Sequence, residues 1–234
     1  GFRTKYKEVC PSFKYVDFSY TKDLLSLGLK FFIVQIAVVI LFQSSNFIMI
    51  KYYGADTVTQ YNVAYKYFFS INMIFSIIIT PLWSAATDAY TNGDLTWIKK
   101  ELKKYTLILV VFICGAILML AFSSFVYKIW MKDSITEIPF SISATVAFFV
   151  IESMFANLFV YFLNGAGILK LQFLFCILSP LVFIILCIFF IKYLSLGVYC
   201  IPLAIILSNL YGLIIAPIQA YLVFFKNKKG IWVK

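Results

Sequence analysis

Two ionisable side chains inside apolar runs carry most of the chemistry this sequence can offer. Lys66 stands in YNVAYKYFFSINMIFSIIITPLW (61–83), and Glu152 in IPFSISATVAFFVIESMFANLFVYF (138–162). A charge placed in hydrocarbon costs on the order of 2.5–3.5 kcal/mol, so each is read first as functional. Two roles fit Lys66: a cation facing a cavity, or a long side chain snorkelling to the interface beside Tyr61, Tyr65 and Tyr67. Glu152 is the one carboxylate near the middle of a run, and it is expected to face a cavity, either protonated or paired with Lys66. Gln35, Gln43 and Asn46 fall within roughly 80° of one another on a helix, Lys66 shares a stripe with Ser70 and Thr80, and Glu152 shares a face with Ser141 and Thr145. Asn157 points elsewhere, which suits a hydrogen bond to a neighbouring helix. The amides fit either helix–helix contacts or substrate contacts. The candidate substrate-binding set is therefore Lys66, Glu152, Asn46, Gln43 and Asn157.

Other chemistry is excluded by what the chain lacks. It contains no histidine, which removes His-ligated zinc, Ser-His-Asp triads and His proton relays. No Asp-x-Asp pair occurs, and Cys10, Cys114, Cys176, Cys187 and Cys200 form no close pair. The cysteines read as small apolar residues rather than disulfides or metal ligands. No metal, cofactor or covalent enzymatic step is expected. Gly165-Ala166-Gly167 lacks the strand and spacing of a phosphate loop.

The elements that must position these residues are membrane helices. Hydrophobic residues make up 63% of the 234, aromatics 20%, and mean hydropathy is +0.95, too apolar for a soluble globule. Apolar runs are expected to cross at about 24–50, 61–83, 105–127, 138–162, 171–191 and 196–225, each long enough for a tilted helix and without the alternation of a membrane strand. The expected class is an all-α integral membrane protein of six transmembrane helices, with a polar linker at 1–23 and a basic tail at 226–234. The opening GFRTKYKEVC has neither a methionine nor a cleavable signal, and is read as a point inside a longer chain.

Charge placement sets the expected orientation. Fifteen of the twenty lysines and arginines fall on the side of the two chain ends, against Lys51, Lys128, Lys132 and Lys192 opposite, so both ends are expected in the cytoplasm. This distribution makes the net charge of +10 a membrane signal; no nucleic acid is expected. Between the second and third runs, Asn92-Gly93 makes a turn and Asp94 can cap a helix. Leu95, Ile98, Leu102 and Tyr105 then recur at helical spacing, with Lys99, Lys100, Lys103 and Lys104 on other faces. A short amphipathic helix on the anionic cytoplasmic leaflet is expected there, with a plain topology-setting loop as the alternative. Asn46-x7-Gly54-Ala55 and Asn157-x7-Gly165-Ala166 share one spacing, in opposite membrane orientations, and hint at a three-plus-three inverted repeat.

Several short motifs point to a known family. Tyr53-Gly54-Ala55, Tyr61-Asn62-Val63-Ala64-Tyr65-Lys66, Pro81-Leu82-Trp83-Ser84, Asn92-Gly93-Asp94 and Asn164-Gly165-Ala166-Gly167 followed by Lys170 resemble the polysaccharide-transporter, or O-antigen flippase, branch of the multidrug/oligosaccharidyl-lipid/polysaccharide exporter superfamily. The resemblance implies the C-terminal lobe of a transporter with twelve or more helices in two lobes, the N-terminal lobe being a partner outside this sequence. It implies movement of undecaprenyl-diphosphate-linked oligosaccharide across the bacterial cytoplasmic membrane by alternating access, with Na+ or H+ as a possible coupling ion. Lys66 would then meet diphosphate or acidic sugars. Arg3 is the only arginine, a departure from relatives whose cavities use arginine.

Two other functions compete. A cation-coupled multidrug antiporter of the same superfamily would rely on a buried acid, for which Glu152 is the candidate. A membrane polysaccharide polymerase would need clustered acids, histidines or arginines in a sizeable outer loop, and no such loop is present. The orientation is directly testable: alkaline phosphatase fused after Lys192 should be active, and a fluorescent protein fused after Lys234 should fluoresce. The reverse pattern would overturn the assignment.

Overall fold

Within hydrocarbon no water is present to pair backbone N–H and C=O groups, so long apolar runs satisfy them internally by folding as helices. The structure, a computed structural model, describes residues 19, 21–131 and 137–233. The basic stretch of the expected linker up to residue 18, with Lys132 and Lys234, lies outside the described residues. In chain order the helices are α1 (Thr21–Tyr53), α2 (Ala55–Thr91), α3 (Leu95–Ala121), α4 (Ser123–Met131), α5 (Phe140–Gly165), α6 (Lys170–Lys192) and α7 (Cys200–Ser208). Two π-helical turns, Tyr211–Ile215 and Tyr221–Phe225, then flank the short α8 (Ala216–Ala220). No strand occurs among the described residues. Five helices (α1, α2, α3, α5 and α6) are long and apolar enough to cross a membrane, and α7 with Tyr211–Phe225 makes a sixth crossing bent by 53°. The all-α, multi-pass membrane class read from composition is the class observed.

Three boundaries differ from the sequence reading, each for a local reason. The second helix is 37 residues long, about 55 Å, well beyond the ~30 Å of hydrocarbon that its apolar core at 61–83 would fill. Its polar flanks simply continue the helix past both interfaces. The basic segment after Gly93 is not a separate amphipathic helix, since α3 runs unbroken from Leu95 to Ala121. Its buried residues Ile98, Leu102, Leu109 and Ala116 form one stripe at helical spacing, and no Gly or Pro interrupts it before Gly115. Asp94 caps it as read, its Oδ1 accepting from the Trp97 N–H at 2.9 Å. The last run, read as one crossing over 196–225, is broken at Asn209, whose backbone (φ −94°, ψ 37°) leaves the helix.

The proposed inverted repeat has no common backbone. Gly54 separates two helices with φ +85°, whereas Gly165 ends α5 in helical geometry and Gly167 takes the positive φ of +73°.

The lobe is organised around α5. Of its apolar window 56% is buried, against 11% for α3. Its largest interface is with α2, and it also meets α3, α7 and the bent final segment, while α1 pairs chiefly with α6. The α2–α5 approach depends on a missing side chain. A Cβ on Gly165 would lie 2.7 Å from the Trp83 carbonyl oxygen and 2.8 Å from the Ala86 Cβ, the small-residue contact by which membrane helices approach closely. Gly165→Ala is therefore expected to cost about 1–3 kcal/mol through overpacking, read as a lowered unfolding midpoint in detergent. An unchanged midpoint would contradict this contact.

Candidate functional site

A cavity of about 560 Å3 opens among α1, α2, α5, α6 and the break after α7, within the ~300–1,000 Å3 range of small-molecule sites. Its walls are largely aromatic. Tyr65 stacks on Phe69 with ring centroids 5.1 Å apart and on Phe149 at 6.3 Å, and Phe42 meets both Tyr65 and Phe149 edge-on. Across the space Phe175 stacks on Tyr211 at 5.9 Å. These rings present faces to which sugar rings, or the cationic or aromatic parts of a drug, can stack. Polar groups are few: Gln35, Asn72, Asn157 and Asn209 line the space with several serines. Asn72 is 5% exposed, and its Oδ1 has no hydrogen-bond partner in the protein.

The helix break and Glu152 form one unit. Ser208 Oγ donates to the Ile205 carbonyl at 2.8 Å, and the Asn209 N–H to those of Ile205 and Ile206 at 3.1 and 3.2 Å. The helix end is thus satisfied locally, as hydrocarbon requires. Gly212 lets the next segment press against α5: a Cβ there would lie 2.7 Å from Ala156 Cβ and 2.9 Å from Asn209 Nδ2. That packing aims the Asn209 side chain at α5, where Nδ2 donates to Glu152 Oε1 at 2.7 Å. Glu152 is 2% exposed, and its Oε2 has no partner in the protein. A discontinuous helix, a buried carboxyl and a cavity thus stand in one place, the combination of parts from which broken-helix transporters build ligand and ion sites.

The sequence-selected residues scatter around this unit. Glu152 does not line the cavity, as expected of it, but stands behind Asn209, because the break inserts the amide between them. Its partner is that amide and not Lys66. Lys66 is exposed on α2, roughly 90° around the helix from the cavity residues Tyr65, Phe69, Asn72 and Ser76. The only ion pair among the described residues is Lys104–Glu101 at 3.2 Å. Ser70 and Thr80 share the exposed face of Lys66 and hydrogen-bond back into α2. The tyrosines read as its interfacial belt serve the interior instead. Tyr61 is buried, Tyr65 joins the cavity wall, and Tyr67 donates to the Met119 carbonyl at 3.1 Å.

The amides separate as well. Gln35 and Asn157 line the cavity, so Asn157 faces space where a contact to a neighbouring helix was expected. Gln43 lies in a second groove between α1 and α6. Asn46 is half-buried, its Oδ1 without a partner. Lys99, Lys100, Lys103 and Lys104 occupy the first turns of α3, with Lys99 Nζ 5.9 Å from the Phe225 ring centre and Lys104 Nζ 5.4 Å from that of Tyr105. No cluster of three metal-ligating side chains occurs among the described residues. Sequence reasoning missed Asn209 and Asn72. The signal for the first was Ser208-Asn209 ahead of Gly212, helix-ending residue types inside an apolar run.

No family model matches the chain, and no curated protein matches it. Among solved structures it is similar to a multidrug resistance MATE family transporter of the MOP superfamily, captured in an outward-facing conformation, with a TM-score of 0.71 and 18% identity. That likeness covers 97% of this chain and 52% of the other, so the chain spans about half the length of its structural neighbour. The likeness shows a shared fold with about half of that transporter. The likeness lends no support to the O-antigen branch in particular.

The Glu152–Asn209 bond can be tested by a double-mutant cycle. Asn209→Ala leaves the carboxyl without its bond and is expected to cost about 1–3 kcal/mol, whereas adding Glu152→Leu removes the stranded group and should restore part of that loss. Purely additive losses in unfolding midpoint would contradict the coupling.

Proposed function

We propose that this chain is the second six-helix lobe of a flippase that moves undecaprenyl-diphosphate-linked oligosaccharide across the bacterial cytoplasmic membrane for surface-polysaccharide synthesis. The reading rests on the family resemblance of its motifs, on the transporter fold, and above all on the state of Lys66. That cation lies about 17 Å along α2 from Ala55, exposed and in no ion pair among the described residues. A lysine that neutralises no carboxylate of its own lobe is available to a diphosphate or an acidic sugar, which its three donors suit. In this reading the partner lobe closes over the exposed face of α2, and rocking of one bundle against the other moves the substrate. Covalent chemistry has no part in it. Asn157, in the cavity wall, and Asn46 are assigned substrate-side roles, and the lysines from Lys99 to Lys104 contacts with the cytoplasmic leaflet.

A second reading is favoured by a separate observation. Glu152, buried beside an aromatic cavity with one oxygen unpartnered, suits a cation-coupled multidrug antiporter in which a proton or Na+ binds the carboxyl. The aromatic walls would then take apolar cations.

One set of strains separates the two. The complete gene product, alone and with Lys66→Ala or Glu152→Gln at matched expression, is placed in cells lacking their own flippase and supplied with the protein's native sugar pathway. The flippase reading expects surface polysaccharide from the wild type. It also expects accumulation of the undecaprenyl-linked intermediate with Lys66→Ala, a tenfold loss of flux or more if about 1.4 kcal/mol of phosphate contact is lost. No surface polysaccharide from the wild type, together with drug resistance that Glu152→Gln abolishes, would overturn it in favour of the antiporter.

A further inference from the structure

The second groove lies on the other side of α1. Its volume is about 460 Å3, between α1 and α6. Its lining residues on α1 point on average roughly 120° away from those that line the internal cavity, and Phe47, Tyr52 and Ile188 are exposed, so it opens toward the surroundings of the lobe. Phe47 and Ile48 form one wall, Ile184 and Ile188 the other. Lys51 and Tyr52 stand at the mouth, Lys51 Nζ 5.7 Å from the Tyr52 ring centre. Gln43 and Ser44 close the far end, about 12 Å along the helix from Lys51.

This groove is braced at its charged end. Tyr53 OH donates to the Leu196 carbonyl at 2.6 Å and meets Cys200 Sγ at 3.5 Å. The end of α1 is thereby clamped to the segment that follows α6. Lys51 lies at the opposite membrane face from Lys99–Lys104, one crossing away along α2, and it joins no ion pair among the described residues.

We infer that the α1–α6 groove is a binding site for one anionic phospholipid, its acyl chain between Phe47, Ile48, Ile184 and Ile188 and its phosphate at Lys51. The apolar stretch of about 12 Å fits within one leaflet's hydrocarbon, about half of the ~30 Å total. Lys51 supplies charge complementarity of the kind that favours anionic headgroups near a membrane surface by about fivefold per cation, and Tyr52 gives the amphipathic ring that sits at headgroup level. The site is independent of the transported substrate and does not require the flippase reading.

The test is native mass spectrometry of the intact protein in mild detergent, exchanged against palmitoyl-oleoyl phosphatidylglycerol or phosphatidylcholine. Phosphatidylglycerol should be retained about fivefold more than phosphatidylcholine. Lys51→Gln should remove the preference, and Ile188→Trp, which fills the groove and leaves the charge, should lower retention of both lipids. Lys128→Gln, at the same membrane face outside the groove, should keep the preference. Equal retention of the two lipids by the wild type would overturn the site. So would indifference to both groove substitutions in protein of unchanged unfolding midpoint, or a cross-link from Phe47→Cys to another part of the protein, which would show protein filling the groove.

Discussion

Hydrocarbon offers no hydrogen bonds, so a backbone that leaves its helix there must be satisfied by its neighbours. This constraint makes the break at Asn209 the organising point of the lobe. Most of the chain obeys the rule by staying helical across the membrane. At Ser208–Asn209 the final crossing departs from it, and the departure is supported on every side. Local bonds cap α7, Gly212 lets the next segment close on Ala156, and the Asn209 amide reaches Glu152 on α5, the most buried of the five long helices. The cavity lies where these pieces meet. A ligand or ion entering it would touch the one crossing that is already bent, the natural place for binding to alter helix geometry.

The separation of Lys66 from Glu152 shapes the electrostatics. Had the two been paired, each would have neutralised the other, and the lobe would present no net charge inside the membrane. Instead the carboxyl is enclosed and answered by an amide, while the ammonium stays at the surface of α2. The lobe therefore offers two electrostatically distinct places, an enclosed acidic one beside the cavity and an exposed basic one outside it.

Much of the fold was legible in the sequence because the membrane imposes one solution on long apolar runs. The runs around Lys66 and Glu152 each fall on one observed helix, and Asp94 caps α3 as its position suggests. What the sequence hid was tertiary. Angular phase placed Glu152 on a face but could not reveal that Asn209, 57 residues later, would stand between it and the cavity. Gln35 and Gln43 share a sector at 100° per residue yet serve different spaces, because α6 packs against α1 between them. The break itself was masked by hydropathy, since Leu207, Leu210 and Tyr211 keep the run apolar across it. Tyr61, Tyr65 and Tyr67 look like an interfacial belt by type, yet Tyr61 stacks on Tyr65, which packs against Phe42 and Phe149.

The most direct measurement is leaflet transfer in a defined membrane. The complete gene product would be reconstituted into sealed vesicles bearing undecaprenyl-diphosphate oligosaccharide on one face, and its arrival on the other face followed with an impermeant sugar-modifying probe. Protein-dependent transfer that Lys66→Ala slows about tenfold, without loss of folded protein, is the expected result. Transfer no faster than in protein-free vesicles, with uptake of an aromatic cation in the same preparation, would contradict the flippase assignment.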